Sequence, residues 1–439
     1  MYTADAERRL HCAGSRLLVG RRPPDTYPET QRTYAFSMSK SHCRVFSSHP
    51  IYVTSISVDS SSPHLDVDDL RGWAWDDFLD NTTSHLTEIG FQELFQLGRR
   101  LKNKYPNLIS DDLGKFYFRS TAEQRTVASA EAFVEGLTGA ALGAGGALVD
   151  MPRPDDAVIR PYKMCLKYEE IKNTYPTAED HVKEFYRTTE FQLMVQDVEE
   201  RIGLRNELTP KKIIALYDLC RFYRSFEISR RSPWCAIFSD ANLVTLEYID
   251  DIRHFYKNGY GSEINCQLGT TALKVLFERF EAVYDGVGKN FVGYFTHDTM
   301  MEMVFCAMGL FRDDFNVTGA VRWPTRKWRT SLISPFATNL IAVMYKCTTA
   351  RESVAERMVQ FFHNERELAV CAGGACSWEQ FEDKFRVYAN ATLEFCEPSD
   401  DSSPDSQKVL YPKGAKETSS LTLGFLLIRV SVRPSVTGT

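Results

Sequence analysis

A chain of 439 residues, 43% hydrophobic and 25% charged, has the make-up of an ordinary globular protein with material for a large buried core. Its formal net charge of -6 argues against bulk nucleic-acid binding, so a polyanionic ligand has to be met by a local basic pocket. No stretch is long and apolar enough to read as a membrane-crossing helix.

Residues 1–63 mix Arg, Ser, Pro and Thr with little periodicity, apart from a short strand pattern at Ile51 to Val58. The first twenty residues lack the apolar core of a signal peptide. Further on, Phe116 to Phe118 reads as a strand, Ser120 or Thr121 as a helix cap with Glu123 in the first turn, and Val127, Ala130, Phe133, Val134 and Leu137 as the buried stripe of the helix that follows. Arg119 and Arg125 flank this junction. An arginine near a helix start offers a planar donor fork suited to phosphate or carboxylate, although an exposed or ion-paired arginine is the commoner case.

The Gly/Ala-rich run 139–147 ends that helix or forms a loop, and Pro152, Pro154 and Pro161 mark irregular structure. From Tyr168 to about Phe226 the pattern is charged and helical, with Phe185, Leu193, Val195, Val198, Ile202, Ile213, Leu216, Leu219 and Phe222 as expected buried positions. This reads as an α-helical cap that returns to the core near Trp234. Arg160, Lys163 and Lys167 are candidates to face the pocket, against the alternative of a solvated charged loop.

Leu268 to Tyr284 reads as an amphipathic helix, and Asn290 to Thr296 as a strand that stops at His297-Asp298-Thr299 before a second apolar run. A strand end feeding a helix start places polar side chains and free backbone N–H groups in a crevice where anions are favoured. The competing reading is a plain helix cap, with Asp298 accepting backbone hydrogen bonds and His297 packed nearby. Phe336 to Cys347 follows as a further strand of the sheet. Leu421 to Val432 is apolar but short and interrupted by Arg429. Cys371 and Cys376 have a spacing that a disulfide can close, and clustered cysteines here lack the CxxC pairs or nearby His expected for zinc. Asn81, Asn316 and Asn390 head glycosylation triplets.

Together, Arg119, Ser120, Thr121, Arg125, Thr126, Ser129, Ala130 and Phe133 match the RSTxxxRTxxSAxAF-like motif of the histidine phosphatases, in the histidine acid phosphatase branch. His297-Asp298-Thr299 matches the later HD or HAE motif of that family. The segments Leu70 to Trp75, Leu94 to Leu108, Trp234 to Gly261 and His363 to Phe381 make the chain similar to its multiple inositol polyphosphate phosphatases, over roughly Leu70 to Cys396. The resemblance implies an α/β core, a central mixed and mostly parallel sheet flanked by helices, spanning 64–150 and 233–396. It also implies a helical cap at 151–232, with 1–63 an irregular N-terminal region and 397–439 a flexible tail.

The chain departs from that family at its nucleophile. The family's histidine attacks phosphorus from an RHGxRxP motif, and no RHG occurs here. His42 and His49 fall in the expected part of the chain without the flanking Arg and Gly. Either the motif is lost, or residues 1–63 are a misread gene segment. The resemblance implies a phosphomonoester hydrolase of inositol polyphosphates such as inositol hexakisphosphate, with 2,3-bisphosphoglycerate a further substrate, acting through a phosphohistidine. Arg125 and His297 would bind phosphate, Asp298 would protonate the leaving alcohol, with Glu302 a less favoured substitute, and Arg160 and Lys163 would hold outlying phosphates. No cofactor and no metal is implied, and the partner is a small phosphorylated molecule. The family's inositol phosphate branch carries HAE where this chain carries HD. The alternatives are a non-catalytic pseudophosphatase that binds phosphorylated ligands, and a plain acid phosphatase. The family also implies the endoplasmic reticulum lumen or secretion.

Overall fold

A computed structural model of the protein describes residues 11–12, 70, 85–106, 108–109, 113–142, 148–153, 156–174, 177–223, 232–349, 352–397 and 422–428. The strand pattern at 51–58, together with His42, His49, Asn81 and most of 1–63, lies outside the described residues.

Among the described residues, nine strands form one sheet. They are β1 (His11–Cys12), β2 (Phe116–Thr121), β3 (Leu148–Arg153), β4 (Phe291–His297), β5 (Leu340–Thr349), β6 (Glu352–His363), β7 (Arg366–Leu368), β8 (Cys376–Ser377) and β9 (Thr422–Ile428). The order is β3-β2-β4-β9-β5-β6-β7, with β1 on β5 and β8 on β6. The helices of eight residues or more are α1 (Glu88–Lys104), α2 (Gln124–Thr138), α3 (Leu166–Thr174), α4 (Thr177–Tyr186), α5 (Thr189–Ile202), α6 (Pro210–Tyr223), α7 (Asp240–Asn258), α8 (Glu263–Tyr284), α9 (Asp298–Ala307) and α10 (Trp378–Phe385), with a single helical turn at Thr330–Ile333 and several 3-10 turns besides.

Side-chain alternation on β2 and β4 explains the layering. Phe116, Phe118, Phe291 and Phe295 point to one face, where they pack with Leu94, Leu97 and Leu101 of α1 and Phe133 and Leu137 of α2. Tyr117, Val292 and Tyr294 point to the other, against Leu273, Leu276 and Phe277 of α8 and Met300, Met301 and Val304 of α9. Both faces of these strands are therefore dry, which is why they read as near-continuous apolar runs. The helices α1 and α2 cross with their backbones nearly touching: a Cβ on Gly98 would meet the carbonyl oxygen of Phe133, and one on Gly136 that of Phe95. Glycine is required at both positions by that approach. A third cluster, built from Val182 and Phe185 of α4, Phe191 and Val198 of α5, Ile213 and Leu216 of α6 and Leu246, Ile249 and Ile252 of α7, forms the helical cap side.

Several expectations change in detail. Parallel pairing is confined to β2–β3, β2–β4 and β5–β9, while β4–β9, β5–β6, β6–β7, β6–β8 and β1–β5 are antiparallel. The sheet is mixed rather than mostly parallel, because β5 and β6 form a hairpin and β9 runs against β4. Within 397–439, read as a tail, residues 422–428 insert as a strand between β4 and β5. Leu193 is 58% exposed, because α5 buries the stripe Phe191, Met194, Val195, Val198 and Ile202 and turns Leu193 away. The strand expected from Phe336 starts at Leu340, after a turn in which Ala337 takes φ 57°. Helix α8 starts earlier than expected, at Glu263 behind Ser262.

Disulfides join Cys165–Cys396, Cys220–Cys235, Cys266–Cys306 and Cys371–Cys376, the last as its spacing suggested, and Cys347 is also disulfide-bonded. The Cys266–Cys306 bridge fastens α8 to α9, the helix that leaves the His297 strand. Among the described residues no helix is long and apolar enough to cross a membrane.

Candidate active site

The neighbouring parallel strands β2 and β4 run in register, Ser120 opposite Phe295, so their C-terminal ends deliver Thr121 and His297 to one edge. Each strand leads into a helix there. The N-terminal ends of α2 and α9, the positive ends of their dipoles, thus border the same crevice. Glu123 occupies the cap position of α2, with extended backbone and no side-chain capping bond, rather than its first turn. His297 holds the corresponding position before α9, also without a side-chain capping bond.

His297 is 5% exposed and is gripped from three sides. The Arg125 Nη2 group lies 3.3 Å from His297 Nδ1. Because a guanidinium only donates, Nδ1 accepts and the ring proton sits on Nε2. That Nε2–H faces Thr121 Oγ1 at 3.2 Å and the Glu123 carboxylate at 3.2 Å. Burial pushes the imidazole below its usual pKa, and the charges of Arg125 and Arg160 push the same way against the Glu123 hydrogen bond. A neutral His297 results.

The loop before α3 brings the second arginine. Asp156, 1% exposed, accepts from the backbone N–H groups of Val158 and Ile159 at 2.9 and 3.0 Å and from Arg119 Nε at 2.7 Å. Thr296 Oγ1 donates to the Ile159 carbonyl at 2.5 Å. This ties the loop to β2 and β4 and fixes Arg160, which clasps Glu123 with two bonds of 2.8 and 3.0 Å. Burial alone would raise the Glu123 pKa, but the hydrogen bond from His297 and the charges of Arg160 and Arg125 hold it well below the usual carboxylate range. The Nε atoms of Arg125 and Arg160 are both enclosed and have no hydrogen-bond acceptor.

Asp298 is 4% exposed, and its Oδ1 accepts from the Thr299 N–H at 2.7 Å. The expected helix-capping role of this residue is therefore present in part. It also interacts electrostatically with Arg125 and with His254 of α7. One turn on, Glu302 is fully buried and accepts from His254 Nδ1 at 2.9 Å, Asn258 Nδ2 at 2.9 Å and Ser334 Oγ. So engaged, Glu302 is poorly placed to replace Asp298 as an acid. Burial alone would lower the His254 pKa, but the charge and hydrogen bond of Glu302, with the charges of Asp298 and Asp250, lift it to about 9.

The structure thus brings Arg125, His297, Asp298 and Arg160 to one crevice. Lys163, at the end of the 3-10 turn Pro161–Lys163, is exposed. The triplet residues Asn316 and Asn390 are exposed. Sequence reasoning missed Glu123 as a member of the charged cluster, as well as Thr121, Asp156 and His254. The signal for Glu123 was its place two residues before Arg125 at a strand-to-helix junction, where it also fits a capping pattern.

Comparison with known proteins gives a consistent picture. The "Multiple inositol polyphosphate phosphatase 1" of Drosophila melanogaster is 27% identical over 329 residues, covering 73% of this chain and 68% of the relative. Among solved structures, the phytase from D. castellii superposes with a TM-score of 0.60 at 16% identity, covering 82% of this chain and 80% of that one. The Bifidobacterium longum multiple inositol polyphosphate phosphatase in complex with inositol hexasulfate superposes with a TM-score of 0.56 at 13% identity, covering 73% and 83%. At these identities the structural likeness establishes the fold, an α/β core with a helical side domain. The sequence pattern of the histidine phosphatase superfamily, branch 2, matches residues 62–364, more than half of the chain, and this protein belongs to that family.

Proposed function

We propose that the crevice receives a phosphoryl group of an inositol polyphosphate and that the chain is a phosphomonoester hydrolase of the multiple inositol polyphosphate phosphatase type. The observation that carries this reading is the convergence of Arg125, Arg160 and His297 on two helix N-termini. Two guanidiniums, a ring N–H and the positive ends of two helix dipoles suit a multiply charged oxyanion. The relatives named for inositol polyphosphates supply the substrate class. In the reaction the resemblance implies, a histidine nitrogen attacks phosphorus, the P–O bond to the alcohol breaks, and Asp298 gives its proton to the departing oxygen. Water then attacks the phosphohistidine, releasing inorganic phosphate and restoring the histidine.

A second reading, a non-catalytic binder of phosphorylated ligands, is favoured by one observation: the sequence contains no RHG motif. One experiment separates the two. Phosphate release from inositol hexakisphosphate is measured beside a binding titration, for the chain and for Arg125→Ala. Turnover reduced about 100-fold or more by the substitution supports the hydrolase. Binding that Arg125→Ala removes, without turnover, supports the binder. Neither binding nor turnover sinks both. The disulfides suit an oxidising compartment, and we place the protein in the endoplasmic reticulum lumen or outside the cell. A fusion reporter that localises to the cytosol would contradict that placement.

A further inference from the structure

The anion crevice already contains an anion. Glu123 lies with one carboxylate oxygen 2.8 Å from Arg160 Nη2, and with the other 3.0 Å from Arg160 Nη1 and 3.2 Å from His297 Nε2. These are the donor atoms to which the proposed function assigns a phosphoryl oxygen. Among the described residues, the Glu123 carboxylate therefore already offsets one of the two guanidinium charges, those of Arg125 and Arg160. A phosphoryl group entering with Glu123 in place would meet that carboxylate on the donors it needs and a reduced positive charge. Like charges a few ångströms apart repel strongly where water is thin.

A structural explanation of Glu123 accounts for less. It sits at the cap position of α2 yet makes no capping bond with its side chain. Loop anchoring is performed by another pair, Arg119 with the buried Asp156, and by Thr296 on the Ile159 carbonyl. The Glu123 side chain keeps 27% of its surface exposed, against 6% for His297, so it has a route outward to water.

We propose that Glu123 is a built-in occupant of the phosphoryl pocket, and that a ligand phosphoryl group binds by displacing its carboxylate from Arg160 and His297. This rests on the crevice being an anion site, as proposed above. It makes Glu123 an affinity-setting residue: ligands whose phosphoryl groups outcompete a tethered carboxylate enter, and weakly charged esters are excluded.

The test is calorimetric titration of inorganic phosphate, and separately of inositol hexakisphosphate, into the full chain and into Glu123→Gln, Glu123→Ala and Arg125→Ala, each checked for unchanged thermal unfolding. Glutamine keeps the shape and removes the charge, and alanine removes the group. The expected result is phosphate binding tightened at least about tenfold in both Glu123 variants, with Arg125→Ala weakening it. Equal or weaker binding in the Glu123 variants, with Arg125→Ala still weakening binding relative to the parent, overturns the occupant role and shows that Glu123 orients Arg160. Absence of binding in the parent and in both Glu123 variants overturns the anion site itself, and this inference with it.

Discussion

Two histidine–carboxylate pairs stand near each other around Asp298, and they behave in opposite ways. His297 meets Glu123 at 3.2 Å, and His254 meets Glu302 at 2.9 Å. In the first pair, burial and the arginines on either side keep the ring neutral and the carboxylate ionised. In the second, Glu302, Asp298 and Asp250 surround the ring with negative charge and its pKa rises to about 9. A hydrogen bond to a carboxylate therefore does not set a histidine's charge; the third and fourth neighbours do. The first pair is poised to exchange a partner, since its carboxylate has water on one side. The second is locked, because Glu302 is sealed and holds three donors.

The largest expected effect breaks the locked pair. Glu302→Ala strands His254, Asn258 and Ser334 inside the protein and is expected to destabilise it by about 3–5 kcal/mol in denaturant unfolding. Glu123→Ala is expected to cost under about 1 kcal/mol in the same assay, because the Glu123 side chain already keeps 27% of its surface in water and water can take its place. Equal losses at the two sites would erase the distinction.

His254 also carries a pH signature. Its folded pKa lies above the unfolded value, so its contribution is fully present below about pH 6.5 and is lost as pH rises through about 9. The loss across that window is expected to be about 3 kcal/mol, and replacing His254 with Gln should flatten it; an unfolding free energy with the same slope in both proteins would refute the assignment. For His297 the expectation is the reverse. Nitrogen-15 shifts of its ring should report a neutral imidazole at pH 7, and Glu123→Gln should lower its titration further, because the carboxylate that favours the charged ring is gone. The smallest effect is a control far from both pairs: Leu193→Ser on the exposed side of α5 should change stability by less than about 0.5 kcal/mol.

The same contrast explains what was legible in the sequence. The approach to His297 was readable because β4 is buried on both faces and its apolar run stops where the polar pair begins. Arg125 was readable from the strand-then-helix layout, and the cap from helical periodicity. Glu123 was not, since a glutamate at a helix start looks the same whether it caps the backbone or neutralises an arginine from a distant loop. Nor was His254, whose partner lies 48 residues away on another helix. Leu193 was misassigned because two adjacent apolar residues fit the stripe about equally well, and tertiary packing chose Met194. Strand β9 was hidden for a different reason. A short apolar run carries no mark of which strands it will join.

That strand has a consequence for how the protein is made. His297 sits on β4, which pairs with β2 on one side and, from His297 opposite Thr422 to Phe291 opposite Ile428, with β9 on the other. On a ribosome, β2 and β4 emerge well before residues 422–428 do. During translation at ~5–20 residues per second, the strand that ends at the site therefore waits with one bare hydrogen-bonding edge. The nascent chain should be most prone to chaperone capture in that interval, and a stalled chain lacking β9 should be retained where one that includes it is released.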